Sequence, residues 1–183
     1  THLLTGENQT ALTQGYYSDY TKFSDFEAEA IRRYYDYMIR YENLFFDPEL
    51  QDVTMTHTGW DNYEYQCTSH RVSSYGESGK IWMILREKDY RKCIYLLNLC
   101  GQSEDYWNEG KEEPNIQKDI KFTVQVDTSV EKICFSTPDG ENMDAIELSF
   151  TERATKTGKF IDFTVPSLNY WTTIWIDTRK ETI

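Results

Sequence analysis

The chain has 183 residues, 39% apolar and 15% aromatic, with a formal net charge of -12. This composition supports a packed core and excludes a chain that is disordered throughout. The acidic surface it implies would repel nucleic acid and anionic membranes, so neither is expected as a partner.

The length suits one domain plus an appendage. No apolar run approaches a membrane span. The sequence begins at Thr1 without a charged and apolar leader, and it reads as a piece cut from a longer polypeptide. The tract 8–20 is polar and aromatic and is expected to be extended. Ser24 and Glu27 have capping-box spacing. Ile31, Tyr34, Tyr35, Met38, Tyr41 and Phe45 follow at intervals of three and four, so a helix is expected over 24–46. Asp47-Pro48 ends it, because a residue before proline is pushed out of the α region. The natural boundary falls at 47–52, giving an N-terminal segment 1–50 and a β domain 51–183.

From residue 51 the period changes to two. Val53 and Met55 alternate with Thr54 and Thr56, as in a strand. Residues 60–66 suggest a loop or irregular edge, and 67–75 a weak strand. Two apolar runs, 81–85 and 93–99, flank the charged stretch 86–92; this predicts a hairpin with a solvated loop. Leu97 and Trp82 are expected to be largely buried. An acidic loop covers 101–115, and its length points to function. Strands are then expected at 120–126, 132–136, 145–150, 159–165 and 171–177. The turn signals Pro138-Asp139-Gly140 and Lys156-Thr157-Gly158 punctuate them. About eight strands in short segments imply an antiparallel two-sheet β-sandwich, Greek-key in type, preceded by one long α-helix.

Cys67, Cys93, Cys100 and Cys134 form no C-x-x-C pair, and the three histidines are scattered, so no zinc site is expected. One disulfide is compatible with the sequence. Core-like thiols otherwise favour a reducing compartment. Asp105, Glu109, Glu112 and Glu113 offer oxygens for Ca²⁺ but lack EF-hand spacing, and a solvated acidic loop is the plainer reading. No P-loop, dinucleotide fingerprint or Ser-His-Asp constellation is present, and no cofactor is expected. Tyr106, Trp107 and Asn108 set rings among hydrogen-bonding groups, a combination suited to sugars, which have apolar C–H faces and polar rims. Trp60, with Tyr63 and Tyr65, forms a similar set. The same rings would equally serve as packing plugs.

One stretch also carries a resemblance. Trp82, the pair Arg86-Glu87, the run Leu97-Asn98-Leu99, and then Trp107, Asn108 and Pro114 resemble the C-terminal β-sandwich region of glycoside hydrolase family 66. Residues 2–20 and 34–50 resemble the end of that family's catalytic barrel. The family contains endo-dextranases and cycloisomaltooligosaccharide glucanotransferases. The resemblance implies a non-catalytic C-terminal part of an extracellular enzyme acting on α-1,6-glucan, with a sandwich that buttresses the barrel. It implies that the catalytic carboxylates lie on other strands, so no catalytic residue is assigned. Glu7 would sit near the rim of the parent's cleft, or serve merely as a solvated loop acid. Isomaltooligosaccharide is the expected partner. Competing readings are a free-standing carbohydrate-binding module and an interaction domain with no sugar role. A helix evolved against a barrel, with Tyr16, Tyr17 and Tyr20 nearby, would leave an apolar patch and favour a homodimer through residues 1–46.

Overall fold

The computed structural model describes residues 25–58, 62–106 and 111–179. The chain forms two compact units, 1–47 and 48–183. In the first, helix α1 spans Asp25–Arg40 and a short α2 spans Glu42–Phe45. Asp25 and Glu27 in the first turn and Arg40 in the last complement the helix dipole. On the exposed face Arg32 bridges Glu29 and Asp36 at 2.6 and 3.0 Å. Ser24, half of the expected capping box, lies outside the described residues. The helix breaks at Tyr41, whose backbone leaves the α region (φ -113, ψ 34). Burial therefore concentrates on Tyr37, Met38, Tyr41, Leu44 and Phe45, while Tyr35 is exposed. Tyr37, absent from the expected stripe, is fully enclosed, with its ring 5.1 Å from Tyr41 and 5.8 Å from Phe45.

The second unit is a two-sheet β-sandwich. Its strands are β1 Gln51–Asp52, β2 Tyr65–Cys67, β3 Val72–Ser73, β4 Ile81–Lys88, β5 Arg91–Asn98, β6 Gln117–Val126, β7 Val130–Ser136, β8 Ile146–Leu148, β9 Phe150–Thr155, β10 Gly158–Leu168 and β11 Trp171–Thr178. A seven-stranded sheet runs β1-β4-β5-β11-β7-β8, with β3 on β4, and a four-stranded sheet runs β2-β6-β10-β9. Pairing is antiparallel except between β3 and β4.

Three sequence expectations are corrected. The charged stretch 86–92 is not a loop. Strands β4 and β5 pair through Lys88↔Arg91, leaving a two-residue turn. Within the ladder Lys92 faces Glu87 at 2.7 Å, while the like charges Lys88 and Arg91 face each other and turn to Glu49 and Asp177. The alternation at Val53 and Met55 is not a strand either, since Thr54–His57 forms a helical turn, α3. Asp52 Oδ1 accepts the Thr54 N–H at 2.8 Å, turning the backbone away from the sheet. The Thr54 hydroxyl then accepts the Leu85 N–H at 2.9 Å, replacing the strand partner Leu85 would have had. Finally, 67–75 is not one strand, since β2 ends at Cys67 and β3 covers only Val72–Ser73, and the strand expected at 145–150 is β8 followed by a separate β9, so the count rises above eight.

The core lies between the sheets. Ile81, Met83, Leu85, Ile94, Leu96, Ile174 and Ile176 meet Ile120, Phe122, Val124, Ile161, Phe163 and Val165. Phe122 and Phe163 stack at 5.5 Å. Leu97 and Trp82 point to the opposite face of the seven-stranded sheet and keep partial exposure, whereas their neighbours Leu96 and Met83 are fully enclosed. Leu96→Ala should destabilise the chain by about 2–5 kcal/mol, the usual cost of a core leucine, and Leu97→Ala by less. Parallel denaturant titrations check this. Equal midpoint shifts would contradict the assignment of the inward face.

Candidate functional site

The acidic loop 99–116 rises from the end of β5 and is anchored by Asn98. That side chain is buried. Its amide donates to the carbonyls of Asn169 at 2.7 Å, Asn115 at 2.9 Å and Leu168 at 3.4 Å, and its Oδ1 accepts the Cys100 N–H at 3.0 Å. Gly101 completes the neck at φ +90, where a Cβ would lie 2.8 Å from the Asn115 amide nitrogen. Above the neck, the Gln102 amide donates to the Glu112 carbonyl at 2.8 Å, and Lys111 bonds both the Glu104 carboxylate and the Tyr106 carbonyl. The Lys111 ammonium holds the Glu104 carboxyl below the usual range.

Of the sugar-contact residues expected from sequence, Tyr106 is 66% exposed at the tip of this bridged segment. Trp107, Asn108, Trp60 and Glu7 lie outside the described residues. Tyr63, from the Trp60 set, is exposed; Tyr65 is buried in β2. Of the two aromatic sets, the described Tyr65 and Tyr106 do not converge. Tyr65 pairs with Val124 near the end of β6, whereas the acidic loop precedes β6 at the other end of the sandwich.

One residue sharing the acidic-loop end was not foreseen. Tyr170 caps the β10–β11 turn with its ring exposed. Its N–H and that of Trp171 donate to Asp139 Oδ2 at 2.8 and 2.7 Å. Desolvation, then the charges of Glu113 and Asp139, push its phenol up. The only sequence signal was an aromatic residue beside a turn asparagine.

At the opposite end a recess of about 1030 Å³ is lined by Glu49, Glu87, Lys88, Tyr90, Arg91 and Lys92, among others. Several of its charges are paired. Arg91 forks onto Asp177 at 2.6 and 3.1 Å, and Lys88 reaches Glu49 at 3.5 Å over the Tyr90 ring. Glu87 accepts from Tyr65 Oη at 2.5 Å and from Lys92 at 2.7 Å. Burial pushes the Glu87 carboxyl up, but the Lys92 ammonium and the Tyr65 hydroxyl outweigh it and leave it lowered. Burial, then the Glu87 charge, raises the Tyr65 phenol well above its usual value, so it stays a donor.

A third surface is the outer face of the four-stranded sheet. Register places Thr123, Asp162 and Thr151 side by side across β6, β10 and β9. The Thr123 hydroxyl donates to Asp162 Oδ1, and Arg153 Nε donates to Oδ2 at 2.9 Å. The Thr123 hydroxyl chiefly, then Arg153, lowers the Asp162 carboxyl. A groove of about 600 Å³ crosses the strands here.

All four cysteines are free thiols. Burial raises the Cys93 thiol to about 12, so it packs as a small hydrophobe rather than reacting.

The sequence profile of Glycosyl hydrolase family 66 matches residues 1–175. The chain belongs to that family. Two cycloisomaltooligosaccharide glucanotransferases of Niallia circulans are 27% and 25% identical to it over 179 residues, 96% of this chain and 18% of each relative. The family 66 chain therefore spans about a fifth of the length of these relatives. A crystal structure of a Paenibacillus sp. cycloisomaltooligosaccharide glucanotransferase complexed with cycloisomaltoheptaose shares the fold. Its TM-score is 0.72 at 21% identity, covering 84% of this chain and 21% of that one.

Two consequences are measurable. Because the folded-state pKa of Glu87 lies below its unfolded value, its stabilising contribution is complete above the ordinary glutamate value of about 4.3 and is lost as pH falls through the lowered pKa. Glu87→Gln should thus lower the denaturation midpoint at neutral pH, and the gap to wild type should narrow in acid; a gap constant with pH would contradict the ion-pair assignment. Asn98→Ala should cost roughly 2–3 kcal/mol, since it strands buried carbonyls. It should also raise amide exchange across 99–116. Unchanged exchange there would show that Asn98 does not hold the loop.

Proposed function

We propose that this chain is a non-catalytic β-sandwich part of an enzyme that acts on α-1,6-glucan, preceded in residues 1–50 by the end of its catalytic barrel. The relatives' names supply the substrate class. The observation that carries the non-catalytic role is electrostatic. Glycoside hydrolysis uses a carboxyl raised enough to act as general acid, opposite a second carboxylate in a substrate-shaped cleft. Among the described residues, each carboxyl whose pKa departs from the ordinary range is instead lowered: Glu29, Glu77, Glu87, Glu104 and Asp162. Each has a cationic partner at hydrogen-bond distance. The space between the sheets is filled with apolar side chains, so only loops and outer faces are available to a ligand.

In this reading the sandwich buttresses the barrel, and exposed Tyr106, with Trp107 and Asn108, makes a secondary contact with glucan. Trp60 and Glu7 are subsidiary candidates for the same contact. The chain alone should release no reducing sugar from dextran. A reducing-sugar assay tests this, and turnover well above blank would overturn the reading.

A further inference from the structure

We propose that the groove across the outer face of the four-stranded sheet is a binding site for a neutral saccharide chain, organised by Asp162 and Arg153. The proposal rests on the glucan-related reading above and adds a second surface, distinct from the acidic loop.

The strand alternation that sends Phe122, Ile161 and Phe163 into the core leaves Lys121, Thr123, Asp162 and Thr164 facing outward. Thr151 of β9 and Thr68 beside β6 extend this row, so hydroxyl groups and Phe150 line the groove together, a mixture suited to the polar rim and apolar face of a sugar. Its volume of about 600 Å³ lies within the range of small-ligand sites, roughly 300–1,000 Å³.

Asp162 is held from both sides, one oxygen by Thr123 and the other by Arg153. A carboxylate has about four lone-pair sites, so this arrangement fixes its direction and leaves acceptor capacity toward the groove. The side chain keeps 38% of its surface exposed. Arg153 is 49% exposed, spends one of its N–H donors on Asp162, and is braced over the Phe160 ring at 5.1 Å. An ionised acceptor next to a planar donor matches the adjacent hydroxyls of a sugar, each of which both donates and accepts.

Charge selects the class of ligand. The chain carries -12 overall, which disfavours anions, while Lys121 in the groove and Arg153, bonded to Asp162 from beside it, offset the Asp162 charge. A neutral polyol meets no uncompensated charge there. Because these residues sit on paired strands, the site is more rigid than the acidic loop and would cost less to order on binding.

The test is an amide chemical-shift titration of the intact chain with isomaltoheptaose at millimolar concentration. Expected are saturable shifts at Lys121, Thr123, Thr151, Asp162 and Thr164. Asp162→Asn, which keeps shape and loses charge, should weaken binding about tenfold, the scale of one charge-assisted hydrogen bond. Thr151→Val, isosteric and on an exposed strand, should weaken it less and leave the remaining spectrum unchanged. Shifts confined to 99–116, with Asp162→Asn binding as wild type, would overturn the groove and leave the loop contact standing. No shifts anywhere would overturn both contacts. The non-catalytic reading is decided separately, by the dextran assay.

Discussion

The structure depends on the pairing of β11 between β5 and β7. All eight residues of β11 are buried. Ile174 and Ile176 face the inter-sheet core, and Trp171, Thr173 and Trp175 fill the opposite side of the same strand. A strand buried on both sides must satisfy every backbone group in the ladder, and registered neighbours on both edges do this. The last strand in the sequence therefore occupies the middle of the sheet. The β4–β5 hairpin beside it forms from local contacts, whereas the pairings of β11 with β5 and β7 join distant parts of the chain.

Filling the sandwich interior in this way determines where chemistry can occur. No ligand can enter between Phe122, Phe163, Ile94 and Leu96 without dismantling the core. What remains are the loop ends and the outer sheet faces, and these differ in character. The acidic-loop end presents exposed rings, Tyr106 and Tyr170, on backbone held by Asn98 and Asp139. The far end carries charges already matched to one another, as in Arg91 with Asp177 and Lys92 with Glu87. The four-stranded face presents hydroxyls and one oriented ion pair. The described part of the family 66 chain is thus filled at its centre and polar on the surfaces left open.

Asn98 illustrates how the two kinds of information combine. As the middle of Leu97-Asn98-Leu99 it carried the family resemblance, but the reason for an asparagine there is tertiary. One amide gathers the carbonyl of residue 115 and those of residues 168 and 169, two places far from Asn98 and from each other in the sequence. A buried amide is tolerated only when so satisfied. The residue is thus legible as a pattern and explicable only as a contact.

The sequence alone determined the class of fold, because period-two alternation in 120–126, 159–165 and 171–177 allows one inward face per strand and demands a second sheet to cover it. It also determined that a helix precedes the strands, that an acidic loop follows β5, and family membership; the break at Tyr41, which splits the expected single helix, it did not show. Tertiary structure decided what short-range pattern leaves ambiguous. The stretch 86–92 looked like a loop because it is charged, and most of it became strand because the β4–β5 register runs out to Lys88↔Arg91, with Glu87 facing Lys92. Thr54 looked like strand, and became a helical turn because Asp52 captured its N–H. The row Thr123, Asp162 and Thr151 was invisible beforehand, since its members lie on three strands and become neighbours only once the register is set.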